Sequence, residues 1–363
     1  MAEAPDDGPA RAGGQRAAAD RSRLLVVTSI YPTRDRLEAG AFVWRRVEAL
    51  RTRGVAVDVL APSGYRSSAL VRHAALLVRA LLPRRRPDGV EGHVLLVAGL
   101  IALAAARLHR RPLLIYAHGA DVRVTAQRSP VHRALARLVA RQADIVVTNS
   151  AATAELVARL GASAEIVPPG VDFERFSPAD RTDARARIGL PSHGLVALYV
   201  GGLSPRKGAD VFAAAIAAVP SWHGIMVGEG ELEPLIRAKN PAIDLIGVKA
   251  PDDVPDWMRA ADVVVVPSRE EPLGLAAVEA LACGVPVVAS ETGGLAEVVQ
   301  PEVNGLLIPA ADSSALSAAL RRLEDGGLRL RLGAAARASV ARHDIRTTSE
   351  EMSRLWRQLG LTT

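Results

Sequence analysis

The sequence predicts an α/β protein made of two doubly wound, parallel-sheet domains that face a cleft. Three observations point there. Short apolar runs of buried-strand type recur along the chain, the clearest at 24–29, 113–117, 195–200 and 263–266. Helical patterns fill most of the gaps between them, which is the alternation of a parallel sheet with crossover helices. A chain of 363 residues exceeds one ordinary core and suits two domains.

The elements follow in order. Residues 1–22 are rich in Ala, Asp, Gly and Arg with no apolar core, and read as a disordered tail, not a signal peptide. A strand over 24–29 leads through a Pro/Arg/Asp loop to Gly40, then a helix over 41–53 ended by Gly54. Further strands are expected at 55–60, 94–97, 113–117, 145–148 and 166–167. The apolar stretch from Val94 to Ala106 is too short to span a bilayer, and reads as a strand turning at Gly99 into a helix that ends near Arg111-Pro112. The first domain therefore runs over 23–172. The Pro- and Gly-containing segment from Pro168-Pro169-Gly170 through Phe176-Ser177-Pro178 marks the boundary, with a linker over 173–184, and a second domain over 185–346 has strands at 195–200, 224–227, 243–246, 263–266 and 285–289. A last helix is expected within 347–363, carrying Met352, Leu355, Trp356 and Leu359.

Composition excludes several classes. Hydrophobic residues make up 49% and charged residues 23%, as in a globular protein. The net charge of +6 suits anionic ligands or surfaces, but no base-stacking aromatics are interleaved with the cations, which argues against nucleic acid. Cys283 is the single cysteine and cannot form an internal disulfide, so nothing argues for an oxidising compartment; with the tail not reading as a signal peptide and no run long enough to span a bilayer, the expected compartment is the cytoplasm. Only Lys207, Lys239 and Lys249 are lysines among 45 basic residues, which reads as base composition of the genome. The segment 66–86 carries Arg66, Arg72, Arg79 and Arg84-Arg85-Arg86 among apolar residues. It reads first as an ordinary surface helix and basic loop. The alternative is peripheral contact with an anionic membrane, at its inner face.

Residues 271–279 read Glu-Pro-Leu-Gly-Leu-Ala-Ala-Val-Glu. They place Glu271 on the loop after a buried strand, a Gly274-Leu275 pair at the opening of a helix, and Glu279 inside its second turn. A helix N-terminus suits a phosphate. Carboxylates around such a site repel phosphate and make better sense as acceptors for hydroxyls. A diphosphate with a hydroxylated ring on either side is a nucleotide sugar. The plain alternative is a strand–loop–helix unit whose glutamates are solvated or capping.

With its flanks, 261–270 before and Ala280 to Gly294 after, this stretch resembles the E-x7-E motif of retaining glycosyltransferases of the GT-B fold, in particular glycosyltransferase family 4. Leu273 stands where that family usually has Phe, and Pro272 where Gly is frequent. The resemblance covers about residues 24 to 345. It implies two Rossmann-like domains, an NDP-sugar donor bound by the second domain as co-substrate with no separate cofactor, an acceptor hydroxyl compound bound by the first, no metal, and a last helix that crosses back onto the first domain.

The resemblance extends to the other motifs. Val200 to Gly208 forms a Gly-rich turn with adjacent cations after a strand, a natural diphosphate site or else a solvated turn. It resembles the family's G-R-L-x-x-x-K-G segment, with Lys207 on its lysine; Gly202 replaces the usual Arg, and Arg206 is read as supplying the missing charge. Gly228-Glu229-Gly230 and the segment around Lys249 are read as pocket walls. His118-Gly119-Ala120-Asp121, directly after a strand, resembles the family's H-G-[ST]-D, whose His lies near the transferred sugar; a structural histidine is the alternative, and Asp121 reads more as a helix cap than a catalyst. Gly40 opens the first helix, where the resemblance implies the acceptor side of the cleft. Asn149-Ser150 resembles the family's T-N-S segment, which implies that Ser150 lines the cleft; a helix cap is the equal alternative. The resemblance thus implies glycosyl transfer with retention, with His118 and Glu271 as catalytic residues. The alternatives are a sugar-nucleotide epimerase on the same fold and a non-catalytic scaffold or regulatory subunit.

Overall fold

A computed structural model describes residues 22–31, 40–62, 68–126 and 128–362. The tail expected over 1–22 lies outside the described residues except for Ser22, as does Arg66 of the basic segment.

Two six-stranded sheets form, and every pairing between their strands is parallel. The first holds β1 (Arg23–Thr28), β2 (Ala56–Leu60), β3 (Gly89–His93), β4 (Leu113–Ala117), β5 (Ile145–Thr148) and β6 (Glu165–Ile166), in the order β2-β1-β3-β4-β5-β6. The second holds β7 (Leu195–Val200), β8 (Trp222–Val227), β9 (Ile243–Gly247), β10 (Val263–Val266), β11 (Val287–Ser290) and β12 (Gly305–Ile308), in the order β12-β11-β10-β7-β8-β9. Strand direction of growth reverses between β1 and β3 in one sheet and between β7 and β10 in the other. Open α/β sheets build their ligand crevices at the carboxyl ends of strands flanking such a reversal.

The strand sequences are near-continuous apolar runs because both faces of each sheet are covered. In β1, Leu25 and Val27 face a core with the helix Ala98–His109, while Leu24 and Val26 face the opposite core with Val47. That second core is completed by the last helix, Ile345–Gln358, through Met352, Leu355 and Trp356. The crossing is pinned where Val171 N–H donates to His343 O and Ile345 N–H donates to Val171 O, both at 2.8 Å. Fully burying one such Leu or Met side chain contributes about 1.5–3 kcal/mol.

One expected strand is displaced. The apolar run 94–97 is a turn, and the strand before it is β3, Gly-Val-Glu-Gly-His. Packing against neighbours explains this. A β-carbon on Gly89 would stand 2.9 Å from the Trp356 ring and one on Gly92 would stand 2.7 Å from Ile115 Cδ1, so these glycines are where large side chains cover a central strand. Val94 and Val97 adopt φ of 74° and 52°, which ends the strand sharply and which β-branched residues rarely adopt. The turn is held by the buried Asp121 carboxylate, which accepts from Leu95 N–H and from His118 N–H, each at 2.9 Å. Asp121 thus ties together the carboxyl ends of β3 and β4. The strand β12 was not anticipated either.

Candidate functional site

The loops after β7 and β10, neighbours at the reversal of the second sheet, bring Lys207 to Glu271. The ammonium donates to Glu271 Oε2 at 2.5 Å, and Ser268 Oγ donates to the same oxygen at 3.3 Å. The two loops touch so closely that a β-carbon on Gly208 (φ 71°) would fall 1.9 Å from Pro267 O. They are also tied by Arg269, which donates from two guanidinium nitrogens to Asp210 at 2.8 and 2.7 Å. The Arg269 hydrogen bond outweighs burial and holds the Asp210 carboxyl below its ordinary value. Gly274 follows, in the left-handed region at φ 91°, and opens the helix Leu275–Ala282. The first N–H groups of that helix have no intrahelical acceptor.

The first sheet presents His118 at the end of β4. Its ring lies against Tyr116 (4.6 Å between centroids) and Phe42 (4.6 Å). Its Nε2 meets His93 Nδ1 at 3.0 Å, and His93 Nε2 lies 2.8 Å from Glu91 Oε1. Arg46 donates to Glu91 Oε2 at 2.8 Å. Burial raises the Glu91 carboxyl, but Arg46 and His93 outweigh it and hold it down at about 2. Burial lowers His93, against the pull of Glu91. Burial, then His93 and Arg46, hold His118 well below the usual histidine value. Both imidazoles are therefore neutral near pH 7.

A cavity of about 220 Å³ opens between the two halves, lined by His118, Phe42 and Asn149 from the first and by Lys207, Glu271, Gly274 and Leu275 from the second. Five of the residues singled out in the sequence thus share one space. The others stand elsewhere. Glu279 is turned to Arg45, which donates to Oε1 at 3.3 Å; burial raises the Glu279 carboxyl, against the Arg45 charge. Arg206 is exposed beside Lys207 and makes no ion pair among the described residues. Gly228 packs on Gly201, where a β-carbon would meet Gly201 O at 2.0 Å. Gly40, at φ 74°, opens the helix Ala41–Thr52, with Ile30 O 2.5 Å from where its β-carbon would be. Ser150 is buried and caps the helix Ala151–Ala158 by accepting from Thr153 N–H at 3.3 Å. The next two N–H groups, of Ala151 and Ala152, donate to Glu297 of the second half at 3.0 Å each.

Glu91, His93, Arg45 and Arg46 were not found from the sequence. Glu91 and His93 sit in the strand that was displaced by the more apolar run after it. The only signal for them is a pair of polar residues two apart, hence on one face, with Gly92 between them. Among the described residues, no three His, Cys, Asp or Glu side chains converge as a metal-ligand set.

Two family models match the chain: Glycosyltransferase Family 4 over residues 39–175 and Glycosyl transferases group 1 over residues 194–325. A D-inositol 3-phosphate glycosyltransferase of Streptomyces bingchenggensis is 39% identical over 220 residues, 53% of this chain and 48% of that protein. D-inositol 3-phosphate glycosyltransferase 1 of Catenulispora acidiphila is 40% identical over 225 residues, 55% of this chain and 53% of that protein. The chain spans about half the length of these curated relatives. Among solved structures, a sucrose-phosphate synthase from Thermosynechococcus elongatus aligns with a TM-score of 0.82 at 24% identity, covering 94% of this chain and 99% of that one. Anabaena HepE in complex with UDP aligns at 0.77 and 22% identity, covering 93% and 100%. At these identities the structural likeness carries the fold alone. The paired sheets and the two matched segments, which between them take in most of the chain, make it a member of the family 4 glycosyltransferases with the GT-B architecture.

Proposed function

We propose that this protein transfers a glycosyl unit from an NDP-sugar to an acceptor hydroxyl, with retention and without a metal. The observation that carries the reading is the Lys207–Glu271 pair beside the Gly274–Leu275 helix opening, facing His118 across the cavity. A cation and free N–H groups suit a diphosphate; a carboxylate beside them suits the hydroxyls of the attached sugar. The part over 185–346 is read as the donor side, and 23–172 with the last helix as the acceptor side.

In this reading the diphosphate takes over the Lys207 ammonium, and Glu271 turns to the sugar. The bond from the anomeric carbon to the β-phosphate oxygen breaks. The electron pair stays on the diphosphate, where Lys207, Arg206 and the N–H groups at Gly274-Leu275 stabilise it. The acceptor oxygen forms its bond on the same face, and its proton passes to the departing β-phosphate oxygen. Glu271 favours the positive charge that develops on the ring, Glu279 holds the ribose, and His118 orients the sugar. The curated relatives are named D-inositol 3-phosphate glycosyltransferases, which puts phosphorylated polyols first among the acceptors to be tried. The donor is chosen by screening UDP-, GDP-, ADP- and dTDP-sugars side by side.

The test is thermal stabilisation by a panel of nucleotide sugars, repeated with Lys207→Ala. A ligand at tenfold to a hundredfold over its Kd adds about 1.4 to 2.7 kcal/mol to the folded state. A nucleotide-selective rise that vanishes in the variant supports the donor site, and product formation with a matching acceptor then tests transfer. No rise with any nucleotide sugar would count against transfer and favour a scaffold.

A specific observation also supports peripheral membrane contact. The helix Ala69–Leu81 and its end expose Leu70 (79%), Val71 (57%), Val78 (56%) and Leu82 (75%) beside the exposed Arg79 and Arg84-Arg85-Arg86. Among the described residues no helix is long and apolar enough to cross a membrane. An apolar strip edged by cations suits an anionic bilayer surface. Co-sedimentation with anionic but not zwitterionic vesicles, lost in Leu70→Glu/Val78→Glu, is the expected result.

A further inference from the structure

We propose that Glu91 and His93 are positioning residues that set the tautomer of His118 and leave its Nδ1 a bare hydrogen-bond acceptor at the cleft. The chain of contacts is Arg46–Glu91–His93–His118, with separations of 2.8, 2.8 and 3.0 Å. Glu91 and His93 are fully buried. The two imidazole rings lie within 6° of parallel, which suits an edge-to-edge bond between ring nitrogens.

The direction of each bond follows from what its atoms can do. Arg46 only donates, so it takes Glu91 Oε2. Glu91 Oε1 and His93 Nε2 are not aligned as a hydrogen bond, and each is buried with no other partner among the described residues. At 2.8 Å a bare ring nitrogen would still set its lone pair against a carboxylate, so Nε2 carries the proton. A neutral imidazole has one N–H, so His93 Nδ1 is the acceptor and His118 Nε2 the donor. His118 Nδ1 is then bare. It has no hydrogen-bond partner among the described residues, and the ring lines the cavity shared with Lys207 and Glu271. Neither aromatic ring packed on His118 competes for its nitrogens. The Tyr116 hydroxyl donates to Val167 O, and Phe42 offers only a ring face.

This orientation has a chemical consequence. An Nδ1–H would welcome a phosphate oxygen; an Nδ1 lone pair repels one and accepts from a hydroxyl. Resting on the glycosyl-transfer reading, the hydroxyl is one on the transferred sugar or the acceptor, and His118 is excluded as a direct ligand of the diphosphate. A carboxylate in a strand, reaching the cleft only through two rings, would thereby select what His118 binds.

Glu91→Gln reverses the chain with almost no change of shape. Arg46 then takes the amide oxygen, the amide NH2 faces His93 Nε2, His93 donates from Nδ1, and His118 carries its proton on Nδ1. The experiment is a long-range 1H–15N correlation spectrum of the full chain labelled with 15N-histidine, with the His118 signals assigned by His118→Asn. The wild type is expected to show His118 protonated at Nε2 and bare at Nδ1, and the Gln variant the opposite. A wild-type spectrum with Nδ1–H, or with a doubly protonated ring near pH 7, overturns the proposal. So does a folded Gln variant with the wild-type tautomer. If the Gln variant does not fold, the wild-type spectrum decides alone. This readout needs no substrate, so it stands or fails separately from transfer. Where transfer is measured, Glu91→Gln lowers kcat about tenfold to a hundredfold, the scale of one charge-assisted hydrogen bond reversed, and leaves nucleoside diphosphate affinity unchanged; equal losses in both would mark a merely structural role.

Discussion

Arg45 of the first half donates to Glu279 of the second at 3.3 Å, and so occupies the carboxylate to which the proposed mechanism assigns the ribose. Any ribose bound there must share or displace that guanidinium. Glu279→Gln is expected to weaken a nucleoside diphosphate about tenfold, the value of one hydrogen bond to a charged group, and to leave inorganic diphosphate unaffected. Titration calorimetry with both ligands checks this. Equal affinities for wild type and variant would confine Glu279 to its pairing with Arg45.

Lys207 is the cation best placed to stabilise a departing diphosphate. Removing one preorganised donor of this kind costs about a hundredfold to a thousandfold in turnover. Lys207→Ala should show that loss in kcat. Its melting temperature should fall as well, because the Glu271 side chain, 10% exposed, is left without its cation, so turnover is compared at a temperature where both proteins are folded. A variant that turns over like the wild type would remove Lys207 from the mechanism.

Gly274 combines a φ of 91° with a neighbour, Leu295 Cδ2, 2.3 Å from where a β-carbon would stand. Gly189 has a similar φ of 76° but open space around it. Both alanine variants bear the left-handed strain, about 1–2 kcal/mol; only Gly274→Ala must also displace Leu295. Chemical denaturation should therefore rank Gly274→Ala as the less stable, and nucleotide binding should fall in that variant alone. Equal losses would show that the loop absorbs the collision.

Acid should destabilise the fold in two stages. Burial, then Arg342, hold His343 down at about 4, and burial holds His93 and His118 below their ordinary value as well. A histidine with a lowered folded-state pKa binds fewer protons folded than unfolded. Its stabilisation is complete above its unfolded value, about 6.5, and is lost as pH falls toward the folded one. For His343 alone this is about 3 kcal/mol. Glu91, held at about 2, has the same sign, and its share is lost between its ordinary carboxylate value and about 2. Urea midpoints should be level above pH 7, fall from about pH 6.5, and fall again below about pH 4.5. In His343→Phe the first fall should be smaller.

Much of the fold was legible because its signals are local. The strands β4, β7 and β10 are apolar runs with polar or Gly-rich ends, so His118, Lys207 and Glu271 could be placed at carboxyl ends from the sequence. Val263–Val266 needs no knowledge of its neighbours to read as a buried strand. By contrast, β3 reads Gly-Val-Glu-Gly-His. It is a strand because Trp356, Leu361 and Ile115, far away in the chain, fill the space over its glycines. No window around residues 89–93 contains that information, and the apolar 94–97 run beside it outweighed the true strand.

By itself, then, the sequence determined the alternation of strands and helices, the Gly-rich turns, and which side chains stand at strand ends, since each depends on residues within a turn or two. Tertiary structure alone decided which of those ends meet. Lys207 reaches Glu271 only because β7 and β10 are neighbours where the strand order reverses. Arg45 meets Glu279, and Glu297 caps the helix Ala151–Ala158, only because the two halves face each other. His93 meets His118 because β3 lies beside β4 in register, His93 opposite Tyr116. Such contacts join residues from about 25 to more than 200 positions apart, and their strength comes from burial that only the packed sheets provide.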